Sequence, residues 1–83
     1  MSNSNDTTRF VDVRALPPGL RHKEIFRLAG ELVAGRSFIL VNDHDPKPLH
    51  HQLEAEWPKQ FSWSYVERGP DVWCVQIGKL VTA

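Results

Sequence analysis

The stretch Phe38-Ile39-Leu40-Val41-Asn42-Asp43-His44-Asp45-Pro46 decides the fold of this chain, because a strand ends and a helix begins within it. Its first four residues form an unbroken apolar run of strand-favouring side chains, which is typical of a central strand. Asp45 is expected to be the N-cap of the helix, with Pro46 at its first position, because a residue before proline favours the extended geometry that an N-cap needs. The polar loop therefore joins a buried strand to a helix.

Upstream of this stretch, the pattern predicts one strand and one helix. Residues 10–14 alternate between apolar and charged side chains, as in a half-buried strand. From His22 to Ala34 the apolar positions recur at helical spacing, and Gly35 is expected to be the C′ residue of that helix. The first eight residues are polar and unpatterned, so we expect a flexible tail at 1–8 and a single domain at 9–83.

Downstream, the pattern predicts a second helix and a hairpin. Apolar residues at every fourth position from Leu49 to Trp57 indicate the helix, and Pro58 stops it. Residues 61–66 alternate aromatic and small polar side chains, and residues 72–77 form a second strand-like run. A short turn containing glycine and proline separates the two runs, which predicts an antiparallel pair.

The resulting order βαβαββ predicts an α/β (α+β) two-layer sandwich, with a mixed four-stranded sheet and both helices on one face. A right-handed crossover should make the first two strands parallel. The loops after these strands then meet at the C-terminal edge of the sheet, where open α/β sheets bind ligands. Seven polar residues are expected to share a ligand site at this edge: Arg14, Arg21, His22, Asn42, Asp43, His44 and Asp45.

Composition excludes several classes of function. Ten basic residues balance ten acidic ones, so no overall field attracts nucleic acid or an anionic membrane. No apolar run approaches the roughly 20 residues of a membrane helix. The single cysteine, Cys74, cannot form an internal disulfide, and the N-terminal residues lack a signal-peptide pattern. We therefore expect a cytoplasmic protein.

His22 and His44 form a candidate metal site, because each stands near the start of a helix and the two loops converge. Neutral imidazoles with nearby carboxylates are usual ligands for a transition metal such as zinc or iron. Asp43 or Asp45 would be the acidic member of the site. Binding would weaken on acidification, because a protonated imidazole cannot bind a metal.

A structural charge network is the alternative interpretation of the same residues. In that network Arg14 or Arg21 pairs with Asp43 or Asp45, and the histidines cap backbone groups. A third interpretation is that a small organic ligand or an unknown protein partner uses the cluster. Proline lacks an N–H, so the proline-rich start of the second helix offers few donors for phosphate.

The remaining candidate residues favour structural roles. His50 and His51 are adjacent on the second helix and are expected on a solvated face. Loss of the expected Asp45 cap by Asp45→Ala should therefore destabilise the fold more than His51→Ala. Cys74 lies within the last strand and is expected to be buried, with a raised pKa. The aromatic residues from 61 to 73 favour core packing or a dimer interface over a nucleobase platform on the open sheet face. No nucleophile stands beside a base, so no catalytic residue is assigned, and the sequence favours a protein that is not an enzyme.

Three motifs carry a resemblance to a known family: Asp12-Val13-Arg14-Ala15-Leu16-Pro17-Pro18, Val41-Asn42-Asp43-His44-Asp45-Pro46-Lys47-Pro48-Leu49, and Phe61-Ser62-Trp63-Ser64-Tyr65 with the later Gly69-Pro70-Asp71-Val72-Trp73. They are similar to those of the domain-of-unknown-function family twenty-two forty-nine, from about Phe10 to Lys79. That family resembles the TusA-like (SirA-like) sulfur carriers. The resemblance implies a sheet ordered 1-2-4-3, with the last strand antiparallel to its neighbours.

The resemblance to sulfur carriers does not extend to their chemistry. TusA-like carriers bear a Cys-Pro-x-Pro motif at the start of the first helix, whereas residues 17–23 of this chain contain no cysteine. Relatives of that family are fused to hemerythrin-like domains, which suggests a link to redox or nitrogen-oxide metabolism. We therefore predict a small binding or regulatory module. The alternative is an accessory protein of sulfur transfer that lacks the carrier cysteine, because persulfide chemistry requires a thiolate.

Overall fold

The chain forms a four-stranded mixed sheet with two helices on one face. The computed structural model describes residues 9–81, which contain β1 (Arg9–Asp12), α1 (Pro18–Glu31), β2 (Ser37–Asn42), α2 (Lys47–Glu56), β3 (Phe61–Arg68) and β4 (Trp73–Lys79). The strand order is β1-β2-β4-β3; β1 is parallel to β2, and β4 is antiparallel to both β2 and β3. The predicted βαβαββ sandwich is confirmed, while the tail expected at 1–8 lies outside the described residues.

The core lies between the helices and one face of the sheet. Leu40 of β2 pairs with Val75 of β4, and both side chains are fully buried. Helix α1 adds Ile25 to this layer, and α2 adds Leu53. These positions follow the apolar periodicity of the sequence, because each element buries the side that carries its apolar residues.

Helix α1 begins at Pro18, four residues before the predicted start. Pro17 is extended, with φ −57° and ψ 142°, and the fixed φ of Pro18 suits the first helical position. This first turn places Arg21 on the buried side of the helix, at 8% exposure.

The end of α1 also differs from the prediction. The helix stops at Glu31, and Gly35 is not its C′ residue. Gly35 instead lies in a turn closed by the Arg36 N–H and the Val33 carbonyl at 3.0 Å. Its φ of +87° suits the third position of such a turn, where glycine is favoured.

The prediction that Asp45 caps α2 is wrong. Pro46 is the N-cap residue, and no side chain caps the helix. An N-cap side chain accepts from the second or third helical N–H, and Pro48, which would be third after Asp45, has no N–H. The Asp45 carboxylate instead accepts a hydrogen bond from the Tyr65 hydroxyl at 2.7 Å.

The aromatic side of β3 faces the helices, not the open face of the sheet. Trp63 pairs with Ile77 across the sheet, and Tyr65 pairs with Val75. Opposed residues of an antiparallel pair share a face, so these aromatic side chains lie on the core side. Phe61 and Trp63 pack against the core, which confirms core packing over a nucleobase platform.

Within residues 9–81, neither helix is long and apolar enough to cross a membrane.

Candidate functional site

Arg21 holds the C-terminal edge of the sheet together. Its Nε donates to the Leu16 carbonyl at 3.0 Å, and Nη1 donates to Asn42 Oδ1 and Asp43 Oδ1, both at 2.9 Å. Nη2 donates to the Arg14 carbonyl at 3.1 Å and to Asp43 Oδ2 at 3.3 Å. A guanidinium has five N–H groups, so these five bonds use all of them. Arg21 therefore positions the loops after β1 and β2 and keeps no donor for a ligand.

The ion pairs at this edge agree in part with the structural charge network expected from the sequence. Arg21 pairs with Asp43, as that interpretation allowed, whereas Arg14 pairs with Asp12 at 2.6 Å. The hydrogen bonds from Arg21 and then His44 lower the pKa of Asp43 to about 2. The Arg14 side chain lowers the pKa of Asp12, also to about 2. Within residues 9–81, the side chains of His22 and His44 bond to Gln52 and Asp43 and cap no backbone group.

Acid should weaken the fold through Asp43. Its pKa is about 2 in the folded chain against an ordinary 3.8, so its contribution is complete above about pH 4 and is lost as the pH falls towards 2. The free energy of unfolding, from urea melts, should therefore drop more steeply over this interval in the wild type than in Asp43→Asn. Parallel curves for the two proteins would contradict the assignment.

A cleft of about 230 Å³ opens where the first turns of the two helices meet the end of β2. We call it the edge cleft. The described residues that line it are Pro18, Arg21, His22, Ile25, Asn42, His44, Pro46, Pro48 and Leu49. Four of the seven predicted site residues are thus together in its lining: Arg21, His22, Asn42 and His44. The other three, Arg14, Asp43 and Asp45, lie outside the lining.

Both histidines of the edge cleft are held by the same ring nitrogen. His22 Nδ1 lies 3.0 Å from the Gln52 carbonyl oxygen, and His44 Nδ1 lies 2.8 Å from the Asp43 carboxylate. Both partners are acceptors, so Nδ1 carries the hydrogen in each neutral ring. The Nε2 lone pair of each imidazole is then the group left to interact with a ligand.

Asn42 supplies the cleft with a hydrogen-bond donor. Its Oδ1 accepts from Arg21 Nη1 and from the Asp43 backbone N–H, both at 2.9 Å, which fixes the orientation of the amide. The residue is only 5% exposed, and none of residues 9–81 accepts a hydrogen bond from its NH₂ group. Among residues 9–81, Trp63 Nε1 is the only fully buried side-chain donor without a partner, so the Asn42 NH₂ group is open to solvent in the cleft and can donate to a ligand there.

The rest of the cleft wall is apolar. Ile25 of α1 and Leu49 of α2 lie at the buried side, both at 1% exposure. The three lining prolines have no N–H, so the start of neither helix forms a phosphate cradle of backbone donors.

His22 and His44 are the only imidazoles in the described lining of the cleft. In the part of the chain that the structure describes, no group of three or more His, Cys, Asp or Glu side chains converges to hold an ion. Protein sites for zinc or iron normally use three or four protein ligands. The His22–His44 metal site therefore stays a prediction with an incomplete ligand set.

Asp45 stabilises the edge through Tyr65. Burial, and then the hydrogen bond to Asp45, raise the pKa of Tyr65. We still expect Asp45→Ala to destabilise the protein more than His51→Ala. The reason is not the loss of a cap but the loss of the charged hydrogen bond to Tyr65, which is worth about 1.5–3 kcal/mol. Urea melts test this, and Tyr65→Phe should add little to Asp45→Ala if the two residues act as a pair. Equal midpoints for the Asp45 and His51 variants would contradict it.

The other histidines and the cysteine do not belong to the cleft. His51 is exposed as predicted, but His50 is half-buried and stacks on Trp63, with ring centroids 4.4 Å apart. The solvated-face prediction is therefore wrong for His50, and desolvation lowers its pKa. Cys74 is buried and its pKa is raised by desolvation, as predicted.

Sequence reasoning missed Gln52 as the partner of His22. Its signal was available, because Gln52 follows Leu49 by three positions and so lies near the same face of α2. Tyr65 had no comparable signal, because it is 20 residues from Asp45 and on another element. Ile25 and Leu49 were assigned to helical core stripes, and their position in the cleft depends on helix placement.

Comparison with known proteins identifies a family. A family model described as "Uncharacterized conserved protein (DUF2249)" matches residues 10–79. No curated protein and no solved structure matches the chain. The matched range coincides with the span of the sequence resemblance, while the likeness to TusA-like carriers stays a prediction.

Proposed function

This chain belongs to the DUF2249 family of uncharacterized conserved proteins, and we propose that it is a small binding or regulatory module that takes its ligand in the edge cleft. The Asn42 amide is the observation that supports this most. Asn42 lines the cleft, its amide is held in one orientation, and its NH₂ group has no acceptor among residues 9–81. An oriented donor in the wall of a cleft can bond to a ligand acceptor in place of water.

The two imidazoles support the same proposal. Each is anchored through Nδ1, so its ring is oriented before a ligand arrives. Pre-orientation reduces the entropy lost on binding. A ligand in the cleft would therefore meet one fixed donor, from Asn42, and two fixed acceptors, from His22 and His44.

The lining favours binding over covalent catalysis. None of the described lining residues is a serine, threonine, cysteine or lysine. Without such a nucleophile, the histidines have no neighbour to activate.

The sulfur-transfer alternative gains no support from Cys74. Cys74 pairs with Val41 and Glu67 across the sheet, and its neighbour in sequence, Val75, points into the helix-covered core. Cys74 therefore lies on the opposite face of the sheet from the edge cleft. Its buried thiol, with a raised pKa, is a poor source of the thiolate that persulfide chemistry needs.

Native mass spectrometry of the purified full chain and NMR screening of a fragment library test the proposal. Fragments should shift the Asn42 side-chain amide resonance, and His22→Ala should weaken their binding at least about tenfold. His51→Ala is the matched control, because His51 is exposed and outside the cleft. Fragments that bind only elsewhere, or that bind His22→Ala as well as the wild type, would overturn the proposal.

A further inference from the structure

We infer that the edge cleft selects small uncharged molecules that carry both a carbonyl-type acceptor and an N–H or O–H donor, the class of amides and lactams. This inference rests on the proposed function of the cleft and adds the chemical class of its ligand. The charge, the hydrogen-bonding groups and the size of the cleft support this class.

Charge disfavours ions as ligands. Arg21 is the only permanent cation in the described lining, and Asp43 already neutralises it through two hydrogen bonds. No carboxylate is among the described residues of the lining either, and Asp45 is bonded to Tyr65. A charged ligand would leave water for a wall that offers no free counter-charge, and burying an unpaired charge is costly.

Hydrogen bonding favours a ligand with two different functions. The Asn42 NH₂ group can only donate, so it requires an acceptor on the ligand. His22 and His44 line the cleft with Nδ1 bonded to Gln52 and Asp43, so in each neutral ring Nε2 is the nitrogen left to accept from a ligand donor. An N–H beside a carbonyl supplies both functions within one group. A ketone can bond to Asn42 alone, since it has no donor for an imidazole.

Size sets the upper limit. The cleft has a volume of about 230 Å³. This is below the roughly 300 Å³ at which drug-sized pockets begin. The walls of Ile25, Leu49 and three prolines suit the apolar carbons of a small ring.

NMR titration of the full chain at neutral pH with matched probes tests the ligand class. The probes are 2-pyrrolidone, which has the N–H and the carbonyl, and cyclopentanone, which has the same ring size without the N–H. We expect 2-pyrrolidone to shift the Asn42 amide and both imidazole resonances saturably, and cyclopentanone to bind at least about tenfold more weakly. Gln52→Ala, which frees the His22 ring, should weaken 2-pyrrolidone binding, whereas His51→Ala should not.

Acetate, inorganic phosphate and zinc ions are titrated in parallel. Acetate, phosphate or zinc binding at these resonances more tightly than 2-pyrrolidone would overturn the ligand class but leave the edge cleft as a binding site. Equal affinity for 2-pyrrolidone and cyclopentanone would also overturn the class. If neither these probes nor the fragment library shifted any resonance of the cleft, the proposed function itself would be refuted.

Discussion

Replacing Arg21 by alanine should lower the free energy of unfolding by about 2–4 kcal/mol, because acceptors at the buried side of the edge lose their donor. The substitution removes five hydrogen bonds and leaves Asn42 Oδ1 and the Leu16 and Arg14 carbonyls without that partner. A domain of 83 residues has a total stability of only roughly 4–12 kcal/mol. Urea or thermal melts should therefore show a protein close to its limit of stability.

Arg27→Ala is the matched control, because Arg27 lies on the same helix and pairs with Glu24 and Glu31. Its side chain is 55% exposed, so its loss should leave the unfolding midpoint almost unchanged. Arg21→Lys tests geometry apart from charge, since lysine has three donors at one nitrogen and cannot reproduce the fork. A loss for Arg21→Ala no larger than for Arg27→Ala would show that the edge does not depend on this network.

Leu53→Ala should cost about 2–5 kcal/mol, because it opens a cavity in the core beneath α2. Leu53 is 2% exposed and packs in the layer between α2 and the sheet, without lining the edge cleft. The same melts measure this change. If the protein remains folded, its affinity for cleft ligands should be unchanged, which separates loss of packing from loss of the site.

Leu20→Ala provides the comparison for Leu53. It removes the same atoms from a side chain that is 52% exposed, so its effect should stay within about 0.5 kcal/mol. Similar losses in the free energy of unfolding for Leu53→Ala and Leu20→Ala would contradict the assignment of Leu53 to the core.

Local patterns were sufficient to predict the elements and their order. Apolar periodicity identified both helices and all four strands, because each element buries one side and the spacing of its apolar residues follows its geometry. The boundaries were less accurate. The N–H groups that proline lacks decided the start of α2, and a four-residue turn placed Gly35 beyond the end of α1.

The position of the candidate site was also within reach of the sequence. The handedness of a β-α-β crossover is nearly invariant, so Arg21, Asn42 and His44 had to meet at one edge once the first two strands were parallel. The sequence did not predict which charged residues form pairs. Arg14 is two residues from Asp12 and pairs locally, which leaves Arg21 to reach Asp43 across the edge.

The sequence by itself determined the fold class and the edge at which the polar residues gather, because these depend on local periodicity and on backbone chirality. Only the tertiary structure decided which side chain meets which. Asp45 contacts Tyr65 and His50 stacks on Trp63 because α2 lies against β3, and a pattern along one element carries no information about its neighbour. The free NH₂ of Asn42 has the same origin, since its orientation is set by Arg21 from a helix 21 positions away.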